Sequence, residues 1–190
     1  PKPFVPVLRK PLIEYNLQRL DSAGISKIVV NTHYLPEKIE AYLAARREVQ
    51  ISHEVERLET GGGVAHALPL LGKQPFFVLN SDVLWTDGPT PALDMLAAAW
   101  DEKKMDALLL FHPTPRLLHY SGLGDFHLDA NNLAHRRREN QVAAFIFAGV
   151  QILHPRLFAE APCRPFSLNI LYDKSEASKR LFAIVHDGDW

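Results

Sequence analysis

Two continuous apolar runs, residues 76–80 (Phe-Phe-Val-Leu-Asn) and 106–111 (Asp-Ala-Leu-Leu-Leu-Phe), limit this chain more than anything else in it. They lack the in–out alternation of a half-exposed strand, so both faces need cover, as in sheets flanked by helices on either side. Helical spacing fills the intervals. Leu12, Ile13, Leu17 and Leu20 repeat as one helix face, with Pro11 at its first turn and Gly24 closing it. A proline-started helix over 35–43 separates short strands at 27–31 and 49–54, and a further helix spans about 90–100. Strand–helix alternation of this kind predicts an α/β fold: a three-layer, Rossmann-like, mostly parallel sheet with right-handed crossovers.

Between strand and strand stands Glu59-Thr60-Gly61-Gly62-Gly63, read as a glycine-rich turn, and then an alanine-rich helix over 64–71. Glycines let backbone N–H groups approach a flat or anionic ligand with no Cβ in the way. The buried strand that follows ends Leu79-Asn80-Ser81-Asp82, a carboxylate at the strand end where open α/β sheets bind ligands and where a divalent metal can be held. No Gly-Lys-Ser/Thr follows the glycines, so this is not a Walker loop, and the spacing is wrong for a dinucleotide fingerprint. That spacing, and the strand the glycines follow, argue against a nicotinamide oxidoreductase.

Beyond about residue 118 the texture changes. Residues 124–129 and 132–136 straddle a turn at Ala130-Asn131 as a hairpin, 144–153 is a long strand, and 168–178 a helix. This predicts an α+β half built against the edge of the first sheet, giving one domain of 190 residues with halves 1–117 and 118–190. The net charge of −1 gives no case for nucleic acid or an anionic membrane as main partner, and Arg136-Arg137-Arg138 reads as a solvated loop. The single cysteine, Cys163, excludes an internal disulfide and fits a reducing compartment; with no apolar run of membrane-spanning length, the cytoplasmic reading is the default. Nine histidines show no zinc-ligand spacing.

Five motifs in order carry a family resemblance. Pro1-Lys2-Pro3-Phe4-Val5-Pro6-Val7 with Lys10-Pro11-Leu12-Ile13 resembles the tail of the signature of sugar-1-phosphate nucleotidyltransferases. Leu58 to Gly63 resembles their base-binding loop and Leu79 to Asp82 their metal-binding strand end. Gly122 to Phe126 and Phe147 to Val150 match their sugar-pocket strands, and Trp190 a tryptophan near the end. The length and the Glu-Thr-Gly-Gly-Gly form are similar to compact N-acetylmuramate-1-phosphate uridylyltransferases of cell-wall recycling, with mannose-1-phosphate guanylyltransferase-like proteins as neighbours.

The resemblance implies a nucleotide-diphospho-sugar transferase type of fold and the transfer of a nucleotidyl group from a nucleoside triphosphate, UTP first, to a sugar-1-phosphate. The alternatives are GTP with mannose-1-phosphate or a heptose phosphate, and a catalytically silent nucleotide-sugar-binding regulator. It implies Lys2 on the phosphates, Asp82 as ligand of Mg2+, and Glu59, Thr60, Gly61, Gly62, Gly63 and Asn80 around the nucleotide. Gly124, Gly149 and Asn169 fall to the sugar, Asn169 with helix capping as its other reading. Glu54 is read as meeting either a base edge or solvent, and Asp87 and Asp125 as turn residues. Leu8-Arg9 departs from the family's Ala-Gly. The glycine- and arginine-containing loop before Pro1 and the carboxylate after Trp190 are expected to lie outside the sequence. A monomer or a homodimer is expected.

Overall fold

The computed structural model describes residues 2–190; Pro1, the first residue of the Pro-Lys-Pro segment, lies outside them. A 3₁₀ turn at Lys2–Phe4 leads into a two-residue-strand hairpin, β1 (Pro6–Val7) and β2 (Lys10–Pro11). Leu8 and Arg9 turn it with φ of 47° and 69°. Those angles suit glycine or asparagine, so the family's Ala-Gly has a conformational reason that this chain forgoes. Helix α1 (Leu12–Ser22) follows, then the parallel pair β3 (Ile28–Thr32) and β4 (Val49–His53) around α2 (Pro36–Leu43). Ile13, Leu17, Ile28, Ile39 and Leu43 close a core of their own between these elements.

The larger sheet is mixed. It holds β5 (Phe76–Leu79), β6 (Ala107–Pro113), β7 (Phe126–Leu128), β8 (Ala134–Arg136), β9 (Phe145–Leu153) and β10 (Leu181–Val185). Strand β10 runs parallel to β6, whereas β9 is antiparallel to β5, β6 and β7. Here the structure departs from the sequence reading. Strand β9 does not add to an edge; it lies between β5 and β6, so strands of both halves interleave. Side chains then sort by parity. Ala107, Leu109, Phe111, Leu181 and Ala183 face one core, covered by α3 (Glu59–Leu71) and α5 (Asn169–Ala177). Leu108, Leu110, Ala148, Val150 and Ile152 face the other, covered by α4 (Ala92–Ala99) and Trp85. That is the double cover the apolar runs demanded.

The glycine run is the second departure. Gly61, Gly62 and Gly63 are not a turn ahead of a helix but its first turns, and all three are buried. Glycine is a poor helix former, so tertiary packing holds them there. A Cβ on Gly61 would stand 2.3 Å from the Phe166 ring, and one on Gly63 would stand 2.6 Å from Glu54 Oε1 and 2.9 Å from Asn31 Nδ2.

Candidate functional site

The carboxyl end of β5 is held from three sides. The Asn80 amide donates to Gly149 O at 2.8 Å, and Asn80 O accepts Asn16 Nδ2 from α1 at 3.0 Å. Gly149 has φ of 79°, and a Cβ there would lie 2.8 Å from Val83 Cγ1 and 3.1 Å from Asn80 Nδ2, so strand β9 can come this close only as glycine. Trp190 Nε1 donates to Ala148 O beside it at 2.9 Å. Two residues past Asn80, Asp82 meets Lys2: Nζ stands 3.4 Å from Oδ2, with the two side chains 82% and 46% exposed. The pair is open to solvent and contributes little to stability. Its value is that a lysine ammonium and a carboxylate share one spot.

Asp82 is an exposed hard-oxygen donor. Such a group fits Mg2+, which binds through one or two carboxylates, keeps waters and shares substrate phosphates. Among the described residues no three or more His, Cys, Asp or Glu side chains gather as an all-protein metal cage.

At the start of α3 the chain is stapled to the segment before α5. Phe166 O accepts the amides of both Gly61 (2.8 Å) and Gly62 (3.1 Å), Phe166 N donates to Leu58 O, and Leu168 N donates to Thr60 Oγ1 at 3.1 Å. Two of the amides that sequence reasoning aimed at a base are therefore already used, as helix-start donors must be when buried. Glu59 and Thr60 stay exposed, Glu59 with φ of 63°, a strained setting for a non-glycine residue. Glu54 does not face solvent. It is buried and its Oε2 accepts the Leu58 amide, fixing the approach to the helix.

The sugar candidates divide. Gly124 and Asn169 line one cavity of about 270 Å³ with Asp125, Arg136, Arg137 and Tyr172, while Gly149 stays at the β5 end. Gly124 has φ of 72° and packs against Ala143 O. Asn169 does not cap α5; Ser167 Oγ accepts its amide instead. Phe147, two residues from Gly149 along β9, also lines the cavity, so cavity and strand end are about 7 Å apart along one strand. Asp125 is more than a turn residue: its Oδ2 accepts the Phe147 amide at 3.0 Å. Tyr172 is fully buried with its hydroxyl donating to Gln151 Oε1 at 2.7 Å, and burial raises its pKa far above the ordinary phenol value.

Sequence reasoning missed Arg136 and Arg137, though the hairpin register held the signal. Phe126 pairs with Arg136, which brings Arg137 N to Asp125 O at 2.8 Å. A larger cavity of about 360 Å³ opens between α1 and the start of α4, beside Arg19 stacked on Trp85. It contains none of the candidate residues.

Comparison with known proteins fits this geometry. The family model described as "Nucleotidyl transferase" matches residues 1–121. An N-acetylmuramate alpha-1-phosphate uridylyltransferase of Caulobacter vibrioides is 39% identical over 197 residues, covering 100% of this chain and 81% of its own. A protein of the same name from Neisseria meningitidis serogroup B is 39% identical over 163 residues, 83% of this chain and 68% of its own. Among solved structures, HddC from Yersinia pseudotuberculosis complexed with GMP-PN superposes with a TM-score of 0.76 at 20% identity, covering 99% of this chain and 82% of that one. At that identity the likeness speaks for the fold.

Proposed function

We propose that this chain, which belongs to the nucleotidyl transferase family, transfers the uridylyl group of UTP to N-acetylmuramate 1-phosphate and releases pyrophosphate. As a sugar-1-phosphate nucleotidyltransferase it joins a phosphate oxygen of the sugar to the α-phosphorus of the triphosphate, and the bond to pyrophosphate breaks. The nucleophile is already an anion, so no general base is required. The barrier is the approach of two anions, met by positioning and charge neutralisation.

The observation that carries the reading is Lys2 beside Asp82 at the carboxyl end of β5. Lys2 is the point charge for the α-phosphate, its backbone set by the 3₁₀ turn. Asp82 would hold Mg2+, which when bound supplies Lewis-acid neutralisation of the phosphate oxygens. The base lies at the α3 start, against exposed Glu59 and Thr60, with Gly61 to Gly63 keeping the helix close to the Phe166 segment. The sugar lies toward the Gly124–Asn169 cavity. Such a reaction belongs in the cytoplasm, where nucleoside triphosphates are supplied. The choice of UTP and of the muramate rests on the two uridylyltransferase relatives, one matched over all of this chain and the other over 83% of it.

The test is pyrophosphate release by the full-length protein with Mg2+, crossing UTP and GTP with the 1-phosphates of N-acetylmuramate, N-acetylglucosamine and mannose. Turnover concentrated in the UTP–muramate pair and lost in Asp82→Asn supports the assignment. Turnover with GTP and mannose 1-phosphate instead overturns the substrates but keeps the reaction class.

A further inference from the structure

Two arginines border the cavity beside Gly124; Arg136 is ion-paired with Asp173, whereas Arg137 has no carboxylate within salt-bridge distance among the described residues. Arg137 is pinned by three backbone carbonyls: Nε donates to Gly124 O at 2.9 Å, and Nη1 donates to Arg138 O at 3.2 Å and Gln141 O at 3.3 Å. Its Nη2 takes no hydrogen bond among the described residues. Arg136 is steadied through Nη1 by Asp173 and by Asn169 O. Other polar groups at the cavity are committed elsewhere. The Tyr172 hydroxyl serves Gln151 and Asp125 Oδ2 serves the Phe147 amide. At about 270 Å³ the space is at the small end for a ligand site, enough for a sugar and too little for a nucleotide as well.

The proposed acceptor differs from N-acetylglucosamine 1-phosphate in one respect, a lactyl ether that adds a carboxylate. A guanidinium already held in place loses little rotamer freedom on binding a carboxylate, and the free Nη2 of Arg137 offers two charge-assisted donors to that group. The geometry points to Arg137, with Arg136 beside it, as the residue that reads the lactyl carboxylate and sets N-acetylmuramate apart from uncharged N-acetylhexosamines. This rests on the uridylyltransferase reading above.

Binding of the two products, UDP-N-acetylmuramate and UDP-N-acetylglucosamine, to the full-length protein by calorimetry separates the two ideas, because both share the uridine diphosphate. The parent should bind the muramate at least about tenfold more tightly. A charge-assisted contact of this kind predicts that Arg137→Gln weakens the muramate roughly ten- to hundredfold. UDP-N-acetylglucosamine should stay within about threefold, and Arg137→Lys should recover part of the loss. If Arg137→Gln proves unstable, Arg136→Gln should shift the same ratio in the same direction. Equal losses for both ligands would mean that the arginines meet a shared group, such as a phosphate, and would overturn the inference. So would a parent without preference, or a preference surviving in both variants. A parent that binds neither ligand refutes the uridylyl reading itself, and this inference falls with it.

Discussion

Replacing Gly61 with alanine sets two physical effects against each other. Helix propensity alone favours the change by about 1 kcal/mol, since Gly61 sits inside α3. The packing opposes it. The new methyl would lie 2.3 and 2.5 Å from two Phe166 ring atoms and 2.9 Å from Phe166 O, the carbonyl that accepts the Gly61 and Gly62 amides. Contacts that short, one of them to backbone, belong at the upper end of overpacking costs, about 3 kcal/mol. The net expectation is a loss of about 2 kcal/mol, or roughly 4–8 °C in Tm for a domain of this size. Gly62→Ala is the internal control. Its methyl meets Leu58 Cβ at 3.0 Å and nothing else nearer than 3.6 Å, so packing and propensity nearly cancel. Urea unfolding at constant m-value gives both numbers. Kinetics should follow, because a displaced Phe166 carries Leu168 and Asn169 with it, raising KM for the sugar phosphate more than it lowers kcat. Combining Gly61→Ala with Phe166→Leu should cost less than the sum of the single changes, the mark of one shared contact. A Gly61→Ala protein as stable as the parent, or more stable than Gly62→Ala, would refute the packing account of the glycine run.

Lys2→Met should leave Tm within about 1 °C, as an exposed ion pair predicts, yet lower kcat/KM by about 10²–10³ through lost charge neutralisation; Asp82→Asn should do likewise and blunt the response to added Mg2+. Arg9→Gly should stabilise the protein by about 1 kcal/mol, because Arg9 holds φ of 69° in the β1–β2 turn, and a thermal melt reads it. His112 is buried and its pKa is pushed below 6.5, first by burial. The unfolded chain therefore takes up a proton that the fold refuses. Stability from this group is full above pH about 6.5 and declines as pH falls toward the folded pKa, by at most about 1.4 kcal/mol per unit. His112→Phe should flatten that part of a pH series of urea midpoints; an unchanged slope would assign it elsewhere.

What the sequence made legible follows from how local each cause is. Strand β6 could be read because burial on both faces writes itself into every residue from Ala107 to Phe111. The place of β9 could not, because its insertion between β5 and β6 is decided by pairing across more than thirty residues, which no window contains. The glycine run shows how a local preference misleads. Three glycines favour a turn, yet here they are helical with two of their amides held by the Phe166 carbonyl, a hundred residues away, and the Phe166 ring leaves no room for a side chain on Gly61. Asp82 and Lys2 could be named as candidates from the sequence, while their 3.4 Å approach could not. The arginines went astray in the opposite sense: a short basic run reads as solvated whenever its face is unknown. Pairing the hairpin residue by residue supplies that face, since Phe126 opposite Arg136 leaves Arg137 beside Gly124 and Asp125. A charge run on a strand end is therefore informative once its register is worked out, and here the register turns three surface arginines into two that border the cavity and one, Arg138, that does not.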